Sequence, residues 1–117
     1  MPKRVLVVDD SNLLRNAISR CLTSAGHEVV GKGQNGDDAV LLYEKLRPDV
    51  VTLDVTMRGK DGIAAAEEIL RLDPKAFIIL YTLLDIPDLA ARTRCIGVRD
   101  IIRKGDEEEL LRVLGAA

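Results

Sequence analysis

Five short apolar runs punctuate this chain, and each is followed by a stretch of helical periodicity. They cover residues 5–8, 28–33, 49–54, 77–81 and 98–103 and are too short to be helices of their own, and run 49–54 is also rich in β-branched residues. Strands that alternate one for one with helices build a parallel sheet covered on both faces. Right-handed crossovers then bring the carboxyl end of every strand to one rim. The expected fold is α/β, a doubly wound five-stranded parallel sheet with five helices. The 117 residues are expected to form a single domain, 1–117, long enough to bury a core. Run 28–33 is the weakest and is expected at an edge; run 77–81 is the most apolar and is expected to be central.

The helices carry their own punctuation. Between Ser11 as N-cap and Gly26 as stop, residues 12–25 repeat Leu13, Leu14, Ala17, Ile18, Cys21 and Leu22 as a stripe expected to be buried. Asn35-Gly36-Asp37 turns into a second helix, whose Ala39, Val40, Leu42, Tyr43 and Leu46 lead to Pro48. That proline denies Arg47 the helical conformation. A third helix begins near Ile63 and ends at Asp73-Pro74, with Ile63, Ala66, Ile69 and Leu70 on one face. A fourth spans residues 87–96, opening on Pro87 and closed by Gly97. Asp106 caps the last, with Glu109 placed for a capping box and acids in the first turn suited to the helix dipole.

Four runs end in groups that could meet on the rim: Asp9 and Asp10, Asp54, Thr82, and Lys104. In an open parallel sheet that edge is where ligands bind. Crowded carboxylates repel, and one keeps its proton unless a hard cation relieves the charge. Mg²⁺ (or another divalent cation such as Mn²⁺) takes oxygen ligands from carboxylates, carbonyls and water. Asp10 and Asp54 suit direct ligation, Asp9 a metal-bound water, and the backbone carbonyl of Thr56 a further ligand. One carboxylate is left as a nucleophile, since carboxylates form acyl phosphates. Phosphoryl transfer asks a protein chiefly to position groups and to neutralise the equatorial oxygens. A divalent cation, the Lys104 ammonium and the Thr82 hydroxyl are suitable groups for that. Asp54 is the expected nucleophile because its strand is the middle one of the set. Each residue also has an ordinary use, as a turn-capping acid, a strand threonine or a solvated lysine. Their combination is what points to chemistry.

These residues at these strand ends resemble the receiver domain of two-component response regulators, the CheY-like family. The matching pieces are Val5-Leu6-Val7-Val8-Asp9-Asp10-Ser11, Asp54-Val55-Thr56-Met57, Asp61-Gly62, Thr82, and Gly97 through Lys104. The resemblance implies the strand order 2-1-3-4-5, which is the order given for CheY itself. It implies that Asp54 accepts a phosphoryl group from a sensor histidine kinase or phosphotransfer protein. It further implies that Asp9 and Asp10 are the metal-binding acids, Thr82 the switch hydroxyl and Lys104 the phosphate-binding lysine. Such a chain is a signalling domain that catalyses only its own phosphorylation and slow dephosphorylation, and acts on a downstream protein as a monomer or weak dimer.

Several positions depart from that pattern. Arg58 and Lys60 replace a proline and an apolar residue after the phosphoacceptor, so a more mobile, more positive loop is expected. Gly105 stands where most relatives carry a proline, often in a cis bond, which leaves the placement of Lys104 open. Leu83 replaces a small residue and is expected to crowd or shield the phosphoryl group. Ile101 replaces the aromatic residue that swings inward on activation, so the usual threonine-to-aromatic switch cannot operate in that form.

Three rival readings are weaker. Gly31-Lys32-Gly33-Gln34-Asn35-Gly36 matches a dinucleotide fingerprint, but Asp37 and Asp38 would repel a pyrophosphate at that helix start. An aspartate-nucleophile phosphohydrolase would pair the nucleophile with a second Asp two residues later, where this chain has Thr56. A phosphorylation-independent binding module would not need all five key residue types. The net charge of −2 argues against a nucleic-acid surface as the chain's main task. No run approaches a membrane span, the N-terminal run is too short for a signal-peptide core, and the two cysteines, Cys21 and Cys95, read as buried thiols of a reducing compartment. The expectation is a cytoplasmic protein.

Overall fold

The computed structural model describes residues 2–57, 59–83 and 88–117. Five strands alternate with five helices: β1 (Arg4–Val8), α1 (Asn12–Ser24), β2 (Glu28–Gly33), α2 (Gly36–Leu46), β3 (Val50–Leu53), α3 (Gly62–Leu72), β4 (Ile78–Thr82), α4 (Leu89–Ile96), β5 (Asp100–Arg103) and α5 (Glu107–Gly115). The strands form one sheet in the order β2-β1-β3-β4-β5, and every pairing is parallel. This is the flavodoxin-like order that the resemblance implies. β2 lies at an edge, as expected. β3 occupies the middle, and β4 is interior between β3 and β5.

Strand alternation sorts the core into two layers. Leu6, Val8, Val51, Leu53, Ile78 and Leu80 pack on one face with residues of α2, α3 and α4. Val5, Val7, Val50, Ile79, Tyr81 and Ile102 pack on the other with α1 and α5. β3 and β4 are buried along their whole length. Continuous burial of that kind is the mark of a parallel strand covered from both sides.

The helix starts follow the capping residues. Ser11, Asn35, Asp61 and Asp106 each accept a hydrogen bond from the amide three residues on. α3 therefore begins at Gly62, one residue before the expected Ile63. The capping box of α5 is only half made: Asp106 caps, but the Glu109 carboxylate pairs with Arg112. At the other end of α2 the Arg4 guanidinium donates to the carbonyls of Arg47 and Leu46, both at 2.9 Å. α4 begins at Leu89 after Asp88; the expected start, Pro87, lies outside the described residues.

Two burial expectations are corrected. Leu13 is 75% exposed, whereas Arg15, Ile18, Ser19 and Leu22 form the buried face of α1. The helix is turned toward Arg15 because its guanidinium has fixed partners inside: it donates to the Asp9 carbonyl at 2.7 Å and to Asn12 Oδ1 at 2.8 Å. Cys95 is exposed and Cys21 only half-buried. α4 turns Leu89 and Thr93 inward, one helical turn apart, which leaves Cys95 facing out.

Candidate functional site

The site is built where strands stop. Asp9 and Asp54 each follow the last residue of their strand, and backbone bonds fix both: the Asp9 amide donates to Gly33 O at 3.1 Å and the Asp54 amide to Val8 O at 3.0 Å. Lys104 follows β5 in the same way, its amide donating to Thr82 O at 2.9 Å. Parallel register thus delivers residues far apart in the chain to one rim.

The Lys104 side chain is 6% exposed, and its ammonium lies 2.7 Å from Asp9 Oδ2 and 3.2 Å from Asp54 Oδ2. One carboxylate oxygen from each of Asp9, Asp10 and Asp54 falls within 4.8 Å of the others. Asp9 is buried, with Oδ1 accepting from the Ser11 amide at 2.9 Å. Its Oδ2, despite the neighbouring ammonium, accepts no hydrogen bond of good geometry. Asp10 is exposed. Three carboxylates grouped on one rim, two buried and one facing solvent, fit a hard divalent cation that keeps part of its water shell.

Burial pushes the Asp54 carboxyl above the usual carboxylate range. Lys104 opposes that shift, Asp9 reinforces it, and the Thr56 amide, 3.4 Å from Oδ1, opposes it weakly. Thr82 ends β4 on the same rim and is 2% exposed. Thr56 is exposed, two residues beyond Asp54. The structure therefore brings Asp9, Asp10, Asp54 and Lys104 into direct proximity, with Thr82 at the adjoining strand end.

A match to the response regulator receiver domain family covers residues 5–114. The chain belongs to that family. It is 40% identical to the chemotaxis protein CheY of Thermotoga maritima over 104 residues, 89% of this chain and 87% of that protein. It is 38% identical to CheY of Bacillus subtilis over a like span, again 89% and 87% of the two chains. Its fold matches CheY in the CheX–CheY–BeF₃–Mg²⁺ complex of Borrelia burgdorferi with a TM-score of 0.93 at 29% identity, covering 99% of this chain and 89% of that one. The response regulator domain of CheB from Thermotoga maritima matches with a TM-score of 0.92 at 29% identity, covering 100% and 96%.

Within this receiver, Lys60 is a paired residue, not a free charge. Its ammonium contacts Glu68 on α3 and lies 3.2 Å from Asp37 on α2, while its carbonyl accepts from the Gly36 amide at 3.2 Å. The loop after Asp54 is thereby tied to two helices at Lys60, whose positive charge is paired with Asp37 and Glu68. Arg58 lies outside the described residues. Leu83 is 61% exposed. Ile101 is half-buried against the α2–α3–α4 layer. Gly105 takes a positive φ of 97°, and no cis bond occurs among the described residues.

The glycine-rich stretch is spent on structure. Gly33 closes β2, and the amides of Gln34, Gly36 and Asp38 donate to Asp38, Lys60 and Asn35 respectively. Those three amides at the helix start are thereby engaged and not offered to a phosphate. Sequence reading missed Arg15, whose guanidinium braces the Asp9 carbonyl from below. Arg15 lies off the apolar stripe beside Asn16, so no sequence signal marked it as buried.

Proposed function

We propose that this receiver accepts a phosphoryl group on Asp54 from a phosphohistidine of a sensor kinase or phosphotransfer protein, and then signals to a downstream protein. The observation that carries this reading is the buried Asp54 carboxylate, 3.2 Å from the Lys104 ammonium and grouped with Asp9 and Asp10.

In the transfer, an Asp54 carboxylate oxygen bonds to phosphorus as the phosphorus–nitrogen bond breaks. The electron pair leaves with the donor imidazole, which takes up a proton. The Lys104 ammonium and the Thr82 hydroxyl neutralise equatorial oxygens as charge spreads over them. Asp9, Asp10, Asp54 and the Thr56 carbonyl would hold Mg²⁺, which would supply charge neutralisation at the phosphoryl oxygens and favour the ionised form of Asp54. Asp54 itself is the group regenerated by slow hydrolysis, so the chain turns over only its own acyl phosphate. Its task is signalling in the compartment of its kinase, the cytoplasm. With Ile101 in place of an aromatic residue, phosphorylation moves the loop after Thr82 with a reduced rearrangement of α4 and β5. Amide chemical shifts of residues 83–103 that do not respond to a phosphoryl mimic would refute that part.

The deciding experiment is intact-protein mass after incubation with acetyl phosphate, with and without Mg²⁺, for wild type and Asp54→Ala. One added phosphoryl group in the wild type alone, and only with Mg²⁺, is the expected result. No gain, together with no binding of beryllium fluoride, would instead favour a phosphorylation-independent binding module.

A further inference from the structure

We propose that the Tyr81 hydroxyl and the Gly105 amide form a latch that holds the Lys104 ammonium at the Asp54 carboxylate, making Tyr81 a positioning residue for phosphoryl transfer. The proposal rests on the reading of Asp54 as phosphoacceptor and adds to it Tyr81, a residue of the core layer formed with α1 and α5.

Lys104 has to keep a charged head inside the rim while the chain leaves β5 for α5. Its own amide is fixed to Thr82 O at 2.9 Å. The next amide, that of Gly105, donates to the Tyr81 hydroxyl at 2.8 Å. Consecutive backbone groups around Lys104 are therefore tied to consecutive residues of β4. Tyr81 is a fixed point: it is 4% exposed and packed in the layer with Ile79, Ile102 and Leu110. A buried phenol oxygen needs a polar partner, and the Gly105 amide is one.

The two residues require each other. Gly105 sits at φ 97°, where L side chains are strained. Proline, the residue most relatives carry here, is locked near φ −65° and has no N–H to donate. With proline at 105 the Tyr81 hydroxyl would lose this donor; with phenylalanine at 81 the Gly105 amide would lose its acceptor. Tyr81 and Gly105 act as one device, which replaces the rigidity of a proline by a buried hydrogen bond.

The test reads the Lys104 side chain directly. Metal-free wild type, Tyr81→Phe, Gly105→Pro and the double variant are treated with formaldehyde and cyanoborohydride, and methylation of each lysine is followed by peptide mass spectrometry, with exposed Lys75 as internal reference. Acetyl phosphate uptake is measured in parallel. Loss of one hydrogen bond predicts that Lys104 in Tyr81→Phe is labelled about fivefold faster than in wild type. Lys75 is expected to be unchanged and phosphoryl uptake slower. Adding Tyr81→Phe to Gly105→Pro is expected to raise Lys104 labelling no further. Wild-type labelling of Lys104 in Tyr81→Phe, or equal acceleration of Lys75, would overturn the latch. If the wild type takes up no phosphoryl group, the phosphoacceptor reading falls, while the labelling still decides whether Tyr81 holds Lys104. Tyr81→Phe keeps the ring and its packing, so the result does not depend on whether Gly105→Pro folds.

Discussion

Lys104 stands closer to Asp9 than to Asp54: its ammonium is 2.7 Å from Asp9 Oδ2 and 3.2 Å from Asp54 Oδ2. The lysine thus occupies charge space that a cation at the same acids would share. Lys104→Met leaves two buried carboxylates without their counter-charge. Breaking a buried pair in this way is expected to cost about 3 kcal/mol in metal-free protein. Urea unfolding with a chelator present measures the loss. Added Mg²⁺ should then stabilise Lys104→Met more than it stabilises wild type, while phosphoryl uptake from acetyl phosphate falls.

Asp54 gives a pH-dependent prediction. Its carboxyl is raised, with burial as the leading cause. A raised carboxylate binds its proton more tightly in the folded state than in the unfolded state. Its contribution to stability is full below the unfolded value of about 3.9 and is lost as pH rises through the folded value. Asp54→Asn removes that loss. In metal-free protein its melting temperature should exceed that of wild type at neutral pH, and the difference should disappear as pH falls below the ordinary aspartate value. Calorimetry across that range checks the sign.

Gly62 is required by close approach. A Cβ there would lie 2.1 Å from the Asp54 carbonyl oxygen and 3.0 Å from Val55 Cα, both backbone atoms that cannot yield separately. Gly62→Ala is expected to destabilise the fold by about 2–3 kcal/mol, at the upper end of ordinary overpacking. It should also slow phosphoryl uptake by shifting Asp54. Chemical denaturation and uptake rate, measured on the same preparation, should move together.

The contacts of Lys60 with Glu68 and Asp37 should be salt-sensitive, since all three side chains reach solvent. Lys60→Met removes both contacts and is expected to lower the urea midpoint at low ionic strength. At roughly 1 M salt, where screening acts within about 3 Å, the gap to wild type should narrow. A gap independent of salt would mean that packing of the lysine stem, not its charge, anchors the loop.

Much of this fold was legible because its signals are local. Four of the five strands lead into a polar rim residue and most helices open on a capping one, so element order and the rim residues could be read directly. Strand order came from resemblance, because periodicity does not say which strands pair. What escaped were relations between side chains distant in sequence. Arg15 was passed over and is part of the buried face, because its partner is a backbone carbonyl that composition cannot reveal. Lys60 read as added positive charge, and its pairing shows only with α2 and α3 on either side of it. Gly105 read as a missing proline, and the use of its amide shows only with the Tyr81 hydroxyl of the adjoining strand. Glu109 met a capping template but found a nearer cation in Arg112.

The parallel order β2-β1-β3-β4-β5 has one more consequence. Asp9, Asp54, Thr82 and Lys104 come from four different strands, and no two neighbours in the sheet are joined without a helix between them. A fragment that stops before β5 lacks Lys104, and one that starts after β1 lacks Asp9 and Asp10. If the domain unfolds cooperatively, as small domains usually do, a nicked, truncated or half-folded copy is silent and does not give a weak or misdirected output. On the proposed reading, phosphoryl uptake is then itself a report that the whole domain has folded.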